Sequence, residues 1–227
     1  MIIWAIIPVK PLRDSKSRLA HILSSDQRAE LTSRLLGRTL DTLNEVMVIT
    51  QTLVVSRDPA ALKVARKHGA STFGETGKQD LNLALTRASH IAVARKANCV
   101  LILPSDLPLL TKEDVKMMVD GVGPAINNGQ NGDFTGHRAM AICTDHMQNG
   151  TNALMVCSPI GFNYQYGPGS FDLHLAEAER LGMARRIIHA PGIKFDLDSE
   201  EDWQTYQALQ PAALAKQNGV SPKISVP

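Results

Sequence analysis

Short apolar runs alternate along the chain with segments whose leucines recur at helical spacing. Residues 2–7 and 99–103 are continuous apolar runs, and each is closed by a proline, Pro8 and Pro104. Such runs are typical of strands that are buried on both faces, as in a parallel sheet. Further strands are predicted at residues 53–55, 71–73, 139–143 and 151–157.

A long helix is predicted to begin after Ser24, because Ser24 and Gln27 form a capping-box pattern and leucines follow at helical spacing. A second helix begins at Pro59 and ends before Gly69, since proline favours the first turn of a helix and glycine its C-terminal cap. Further helices are predicted at residues 81–96, from Thr111 through Val119, at 170–181 and after Ser199. Alternating strands and helices predict an α/β fold with a mostly parallel central sheet and helices on both faces.

Length and composition indicate one large globular domain. The chain has 227 residues, of which 44% are hydrophobic and 20% charged, and this is enough for a substantial buried core. We assign residues 1–209 to the domain. Residues 210–227 lack periodicity and are predicted to form a disordered tail, and residues 127–137, rich in glycine and asparagine, are predicted to form a surface loop.

Charge and cysteine content exclude several classes of protein. The net charge of +2 leaves no basic excess of the kind that binds nucleic acid. The apolar run at residues 2–7 is too short for a membrane span or an ordinary signal peptide, so we expect a cytoplasmic protein that binds no membrane. Cys99, Cys143 and Cys157 lie in apolar, strand-like runs, which predicts buried, reduced thiols and no disulfide. Nothing in the sequence indicates the oligomeric state.

A basic loop follows the first predicted strand. It carries Lys10, Arg13, Lys16 and Arg18. At the junction of a strand and a helix, such cations and the backbone amides around them can surround a polyphosphate. The loop contains neither the Walker pattern nor the glycine fingerprint of dinucleotide-binding proteins, and a merely solvated basic loop is the alternative.

Three aspartates follow predicted strands. Asp106 lies just past a buried strand, where ligands bind in open α/β sheets, and is placed to hold a metal ion; a plain turn aspartate is the alternative. Asp196 and Asp198 are predicted to end another strand, and their alternation puts both on the same side of an extended chain. Two negative charges at such a short distance require a cation between them or the protonation of one carboxylate.

A glycine-rich turn precedes the helix predicted at residues 170–181. The backbone amides of Gly167, Gly169 and Ser170 at a helix start could bind an anion, and an ordinary turn is the alternative. The basic loop and the three aspartates together supply the cations and the Mg²⁺-binding carboxylates that phosphoryl or nucleotidyl transfer requires, because the charge of that reaction sits on phosphate oxygens.

The ordered motifs resemble a known enzyme family. They lie at residues 8–10, 16–19, 104–108, 150–154, 167–171 with His174, and 196–198. The chain is similar, over residues 2–209, to the guanylyltransferases of deazaflavin coenzyme F-420 biosynthesis, the 2-phospho-L-lactate guanylyltransferase family, whose superfamily includes molybdenum cofactor guanylyltransferase. The resemblance implies a single-domain, Rossmann-like nucleotide-diphospho-sugar transferase fold. It also implies that GTP is the donor, that Mg²⁺ is the cofactor, and that the phosphate of a small phospho-acid attacks the α-phosphorus and releases diphosphate.

The resemblance also implies roles for individual residues. The expected Mg²⁺ ligands are Asp106, Asp196 and Asp198. Nucleotide binding is expected from Pro8, Val9, Lys10, Lys16 and Arg18, and the catalytic residues are expected to be Lys16, Arg18 and Asp106. The acceptor's carboxylate is expected to bind Thr151, Gly167 and Ser170.

The identity of the substrates stays open at this point. The family divides among the acceptors 2-phospho-L-lactate, phosphoenolpyruvate and 3-phospho-D-glycerate, and no residue decides between them. A related nucleotidyltransferase with another nucleotide and acceptor is one alternative. A non-catalytic nucleotide-binding module is the other, and Lys16 and the three aspartates argue against it.

Overall fold

The structure is a computed structural model and describes residues 1–77, 79–126, 138–145 and 149–217, without the side chains of residues 124–126 and 210–217. In this part of the chain, seven strands form one sheet with the order β3-β2-β1-β4-β6-β5-β7. The strands are β1 Ile3–Val9, β2 Ile49–Ser56, β3 Ser71–Gly74, β4 Cys99–Ile102, β5 Ala139–Thr144, β6 Thr151–Cys157 and β7 Ala184–Ile187.

The sheet is mostly parallel, as predicted. Strands β1, β2, β3 and β4 pair in parallel, as do β5 and β7. Strand β6 runs antiparallel to both β4 and β5. The carboxyl ends of β1 to β4 therefore meet at one edge of the sheet, where open α/β proteins bind their ligands.

Helices cover both faces of the sheet. They are α1 Ser25–Asn44, α2 Pro59–Lys67, α3 Leu81–Ala94, α4 Lys112–Ile126, α5 Ser170–Arg180, α6 Pro191–Lys194 and α7 Glu200–Gln217. Alternation along β1 divides the core, because Ile3 and Ile7 pack with Leu36 of α1, whereas Ile6 packs with Leu85 of α3. None of the helices in the described ranges is long and apolar enough to cross a membrane.

The predicted helix caps are confirmed. Ser24 and Gln27 form a reciprocal capping box at the start of α1. Thr111 caps α4, since its hydroxyl accepts a hydrogen bond from the Asp114 amide at 3.2 Å. Pro59 occupies the first turn of α2.

The predicted strand before Asp196 is wrong. Residues 191–194 form the short helix α6, because a proline is well suited to a first helical turn, and residues 195–198 have no regular structure. The last strand is β7, whose four residues are all exposed and therefore carry no apolar pattern.

Two other predictions concern the ends of the described ranges. Helix α7 extends to Gln217, past the predicted start of the tail at residue 210, and the division into domain and tail stays a prediction. The loop predicted at residues 127–137 lies outside the described residues, as do residues 218–227.

The prediction of three reduced thiols is wrong for two of them. Cys99 on β4 and Cys157 on β6 are direct partners in the antiparallel pair, with their Cα atoms 4.1 Å apart, and they form a disulfide. Cys143 is a free, buried thiol. The sequence did not reveal the disulfide because the pairing depends on the register of two strands that lie 58 residues apart.

Candidate active site

A cleft opens at the carboxyl edge formed by strands β1 to β4. Residues from the ends of all four strands or from the loops after them line it. Six of the predicted site residues are among them: Pro8, Val9, Lys10, Lys16, Asp106 and Asp198. The basic loop after β1 and the aspartate after β4 therefore share one site, as the sequence predicted.

Lys16 is held inside the basic loop by its backbone and its burial. It lies between two short 3-10 helices, Leu12–Asp14 and Ser17–Leu19, with left-handed backbone angles of φ 56° and ψ 39°. Its side chain is only 4% exposed, and its Nζ donates a hydrogen bond to Asp106 Oδ2 at 2.5 Å. For Lys16 the alternative of a solvated basic loop is therefore wrong.

The segment 196–198 is attached to the Asp106 loop. The Leu197 amide donates a hydrogen bond to the Asp106 carbonyl oxygen at 3.1 Å, and the Leu197 side chain is fully buried with Leu19 and Leu35. The carboxylates that flank Leu197 contact different partners, since Asp196 lies near Asn152 and Asp198 pairs with Arg18. The segment is not a strand, so the alternation argument does not apply to it, and a shared side for the two carboxylates stays a prediction.

Asp106 and Asp196 affect each other electrostatically. Burial, and next the negative charge of Asp106, raise the pKa of Asp196, while the Asn152 amide and the Lys16 ammonium act against this rise. Asn152 Nδ2 lies 3.4 Å from Asp196 Oδ1 and donates to the Ile193 carbonyl oxygen at 2.9 Å. A cation between the two carboxylates would relieve this repulsion.

Asp198 is paired with Arg18. Arg18 Nη1 lies 2.6 Å from Asp198 Oδ2, and both side chains are largely exposed. An exposed ion pair of this kind stabilises a protein by only about 0–1 kcal/mol. Either side chain can therefore change partner at low cost.

The structure, over the residues it describes, forms no group of three or more metal-ligating side chains. Asp106 faces Lys16, and Asp198 faces Arg18. The donor set still fits a hard divalent cation, because carboxylate oxygens are the preferred ligands of Mg²⁺ and because the repulsion between Asp106 and Asp196 favours a cation there.

The predicted acceptor residues form a second group outside the cleft lining. Thr151 begins β6, and Ser170 begins α5 after Gly169, which has a φ of 71°. The Ser170 amide donates to the Gly167 carbonyl oxygen at 3.1 Å, and the Phe171 amide donates to the Asn149 carbonyl oxygen at 3.3 Å. The Ser170 amide therefore has a partner within the turn, the Phe171 amide has one in the segment before β6, and the anion site at this turn stays a prediction.

His174 orients Thr151, a role that the sequence did not predict. Its Nε2 accepts a hydrogen bond from the Gln165 amide at 3.0 Å, and its Nδ1 lies 3.0 Å from Thr151 Oγ1. Because Nε2 is an acceptor, the ring proton is on Nδ1 and is donated to the Thr151 hydroxyl oxygen. Burial lowers the pKa of His174 to about 4, against the charge of Glu177, which raises it. Because the neutral ring donates to Thr151 Oγ1, the hydroxyl hydrogen of Thr151 can be donated to another acceptor.

Two asparagines link this second group to the cleft. Asn152 follows Thr151 on β6 and reaches Asp196. Asn82 on α3 accepts a hydrogen bond from the Tyr166 amide at 2.7 Å and donates to the Tyr166 carbonyl oxygen at 3.3 Å, and its neighbour Leu81 lines the cleft. The turn at residues 166–170 is thereby fixed beside the cleft.

Comparison with known sequences decides the family. The family described as guanylyl transferase CofC like matches residues 3–206. The chain belongs to the CofC-like guanylyl transferase family. This confirms the resemblance that the ordered motifs indicated.

Curated relatives of the CofC-like family align over nearly the whole chain. A phosphoenolpyruvate guanylyltransferase from Rubrobacter xylanophilus is 37% identical over 92% of this chain and 95% of its own length. One of the same name from Roseiflexus castenholzii is 36% identical over 96% of this chain and 93% of its own. A 2-phospho-L-lactate guanylyltransferase from Methanobrevibacter ruminantium is 28% identical over 88% and 82%.

Solved structures confirm the fold predicted for a CofC-like protein. A protein from Desulfovibrio desulfuricans G20 assigned to the nucleotide-diphospho-sugar transferases has a TM-score of 0.70 at 14% identity and covers 95% of this chain and 91% of its own. The 4-diphosphocytidyl-2C-methyl-D-erythritol synthase of Anaerococcus prevotii has a TM-score of 0.57 at 13% identity and covers 92% and 98%. The chain is thus an enzyme of the nucleotidyltransferase type in family and fold.

Proposed function

We propose that the protein is a guanylyltransferase that transfers GMP from GTP to a small phosphorylated acid, with release of diphosphate, in coenzyme F-420 biosynthesis. The observation that carries the proposal is the similarity, over almost the whole chain, to relatives named phosphoenolpyruvate guanylyltransferase. The cleft supports it, because the buried Lys16 and its partner carboxylate Asp106 line it at the carboxyl edge of the sheet, where open α/β proteins bind their ligands.

Phosphoenolpyruvate is the acceptor that we propose first. The relatives from Rubrobacter xylanophilus and Roseiflexus castenholzii, at 37% and 36% identity, carry this acceptor in their names, whereas the relative named for 2-phospho-L-lactate is 28% identical. The acceptors 2-phospho-L-lactate and 3-phospho-D-glycerate are the comparators.

The reaction joins two phosphates. An oxygen of the acceptor's phosphate attacks the α-phosphorus of GTP, the bond from that phosphorus to the bridging oxygen of the β-phosphate breaks, and diphosphate leaves with the electron pair. Lys10, Lys16 and Arg18 bind the triphosphate, and Pro8 and Val9 border it in the cleft. The ammonium of Lys16 stabilises negative charge on the phosphate oxygens, because a charge fixed in a water-poor site needs little reorganisation during the reaction.

The site is expected to use Mg²⁺, with Asp106, Asp196 and Asp198 as its ligands. When bound, the ion would supply neutralisation of charge on the phosphate oxygens. Asp106 then serves both as a ligand and as the partner that positions Lys16, which is why we count it with Lys16 and Arg18 as catalytic.

The acceptor's carboxylate is proposed to bind at Thr151, Gly167 and Ser170. His174 donates its Nδ1 proton to Thr151 Oγ1, so the Thr151 hydroxyl is a donor toward its remaining partner. A carboxylate accepts such a hydrogen bond. We also propose that GTP and the phospho-acid are the protein's binding partners. The cytoplasmic location expected from the sequence is likewise a proposal.

Diphosphate release measured over the four common nucleoside triphosphates crossed with the three acceptors tests the proposal. We expect the highest kcat/KM with GTP and phosphoenolpyruvate and loss of turnover in excess EDTA. The variant Asp106→Asn is the matched control for contaminating activity. A clear preference for another nucleotide would identify a related nucleotidyltransferase, and tight nucleotide binding without any turnover would identify a binding module.

A further inference from the structure

The cleft extends well beyond the acidic residues. It runs from Asp106 after β4, past Pro8 on β1, to Arg57 and Glu75 after β2 and β3. The order β3-β2-β1-β4 puts three strand spacings between its two ends, which is about 14 Å at the usual separation of strands. This is the order of length of a nucleotide from its α-phosphate to the far edge of its base, so a nucleotide held at Asp106 brings its base to Glu75.

Glu75 is a half-buried carboxylate that lines the cleft. Its amide is fixed by the Ser56 carbonyl oxygen at 3.1 Å. Burial raises its pKa, although the charges of Arg57 and Arg87 act against this. Within the described ranges, which omit Lys78, no residue donates a hydrogen bond to its side chain. A partly desolvated carboxylate in a cleft favours a ligand that brings N–H donors.

The surroundings of Glu75 fit a flat heterocycle. Leu81 lines the same cleft and is 41% exposed, and Pro8 offers a second apolar surface. The Arg57 guanidinium, which donates to the Gly77 carbonyl oxygen, adds further donors. Apolar walls with a few polar groups are typical of ligand sites.

We propose that Glu75 determines the base specificity of the enzyme by accepting hydrogen bonds from N1–H and the 2-amino group of guanine. This inference rests on the proposed function, which supplies a guanine nucleotide as the donor substrate. A carboxylate only accepts, and it has two oxygens. Guanine presents two adjacent donors, hypoxanthine presents one, xanthine replaces the second donor by a carbonyl oxygen, and adenine presents an acceptor at N1.

Each substitution of Glu75 is expected to change the relative affinities for the bases in a different way, because the bases differ in the hydrogen-bonding groups at positions 1 and 2. A glutamine at position 75 has one acceptor and one donor, which matches N1–H and the 2-oxygen of xanthine. An alanine has neither. A site built on hydrogen bonds rejects an analogue that lacks them far more strongly than an apolar site does.

The test titrates the full-length protein with GDP, IDP and XDP by calorimetry. We expect wild type to bind GDP on the order of 10- to 100-fold more tightly than IDP and XDP more weakly still. Glu75→Gln should lose most of the preference for GDP and gain affinity for XDP, and Glu75→Ala should bind all three alike. Glu30→Gln, a change at an exposed carboxylate of α1 outside the cleft, should behave as wild type.

Unchanged ratios among GDP, IDP and XDP in both Glu75 variants would overturn the inference. Turnover with GTP and phosphoenolpyruvate, measured on the same samples, separates the two proposals. Wild-type turnover together with unchanged ratios refutes the role of Glu75 alone. Ratios that depend on Glu75 in a protein that transfers nothing to any of the three acceptors support the role of Glu75 and refute the proposed function.

Discussion

The Nζ of Lys16 lies 2.5 Å from Oδ2 of Asp106, although 90 residues separate the two in the chain. The pair joins the loop after β1 to the loop after β4, and its lysine is almost fully buried. A buried ammonium is costly without a partner. The pair thus fixes a positive charge next to the carboxylates at the carboxyl edge of the sheet.

Removal of Lys16 is expected to lower catalysis more than it lowers stability. Lys16→Ala should reduce kcat/KM by about 10²- to 10³-fold, as loss of one fixed electrostatic contact to the transition state does. It should cost about 1–3 kcal/mol of unfolding free energy, because Asp106 is partly exposed and can be solvated. Steady-state kinetics and urea unfolding measure the two effects. Lys63→Ala, at an exposed site on α2, is the control, and near-wild-type turnover of Lys16→Ala would remove the lysine from the site.

Asp196 is expected to lower the stability of the metal-free protein and to be required for turnover. Its raised pKa means that the ionised carboxylate is disfavoured in the folded protein without metal. Asp196→Asn should therefore raise the melting temperature in EDTA at neutral pH, while it abolishes most of the turnover. Mg²⁺ should stabilise wild type more than the variant, because a ligand that binds only the folded state stabilises it.

The matched control for Asp196 is Asp120→Asn, a change at an exposed position of α4. It should alter neither the melting temperature nor the turnover. A lower melting temperature of Asp196→Asn in EDTA would show that the carboxylate has a stabilising partner and would count against the metal assignment.

Acid should destabilise the protein through His174. Its pKa is lowered from 6.5 to about 4, so between these values the unfolded state binds more protons than the folded state, and stability falls as pH falls through that window. The loss reaches about 3 kcal/mol when the window has been crossed. His174→Asn, which can still donate toward Thr151, should lose this part of the pH dependence in urea titrations from pH 7 to 4. An identical slope in wild type and variant would mean that another group titrates there.

Gly167 should matter to the acceptor and not to GTP. Its φ of 140° is rarely adopted by residues with a side chain, although nothing lies within 4 Å of a β-carbon placed there. Gly167→Val should therefore distort the turn and raise KM for phosphoenolpyruvate, with GTP affinity unchanged in calorimetry. Ser170→Ala should be mild, because the proposed contact uses the backbone. Loss of GTP binding with an unchanged acceptor KM would show that the two parts of the site are assigned the wrong way round.

The control for Gly167 is Gly182, which also has a positive φ, 62°, and open space around it. It lies after the other end of α5. Gly182→Val should cost comparable stability through backbone strain and leave KM for phosphoenolpyruvate unchanged. An equal rise in KM in both variants would indicate general destabilisation.

The sequence predicted the elements whose burial leaves a strong pattern. Strand β4 is apolar at every position and α1 repeats its leucines at helical spacing, so both follow from the hydrophobic pattern. Strand β7 was not predicted, because all its residues are exposed and leave no apolar pattern. The Cys99–Cys157 disulfide was not predicted, because the register between two strands cannot be read from the sequence of either one.

The functional side chains that could be placed from the sequence are those that directly follow a strand. Lys16 and Asp106 line one cleft because the parallel strands β1 and β4 end at the same edge, whereas Asp198 joins them because its segment is hydrogen-bonded to the Asp106 loop. The role of His174 was not predictable, since it depends on Thr151, 23 residues earlier and on another element. A helical histidine in a sequence does not reveal which of its ring nitrogens has a partner.

Phosphorus-31 NMR of the full-length protein with GTP, phosphoenolpyruvate and Mg²⁺ observes the proposed transfer of GMP directly. We expect the phosphate signal of phosphoenolpyruvate to be replaced by the two coupled signals of a diphosphate diester, while one diphosphate appears per molecule consumed. Asp106→Asn under the same conditions should produce neither. Release of inorganic phosphate or diphosphate without the diester would contradict the proposed transfer, because GTP would then be hydrolysed and no GMP would reach the acceptor.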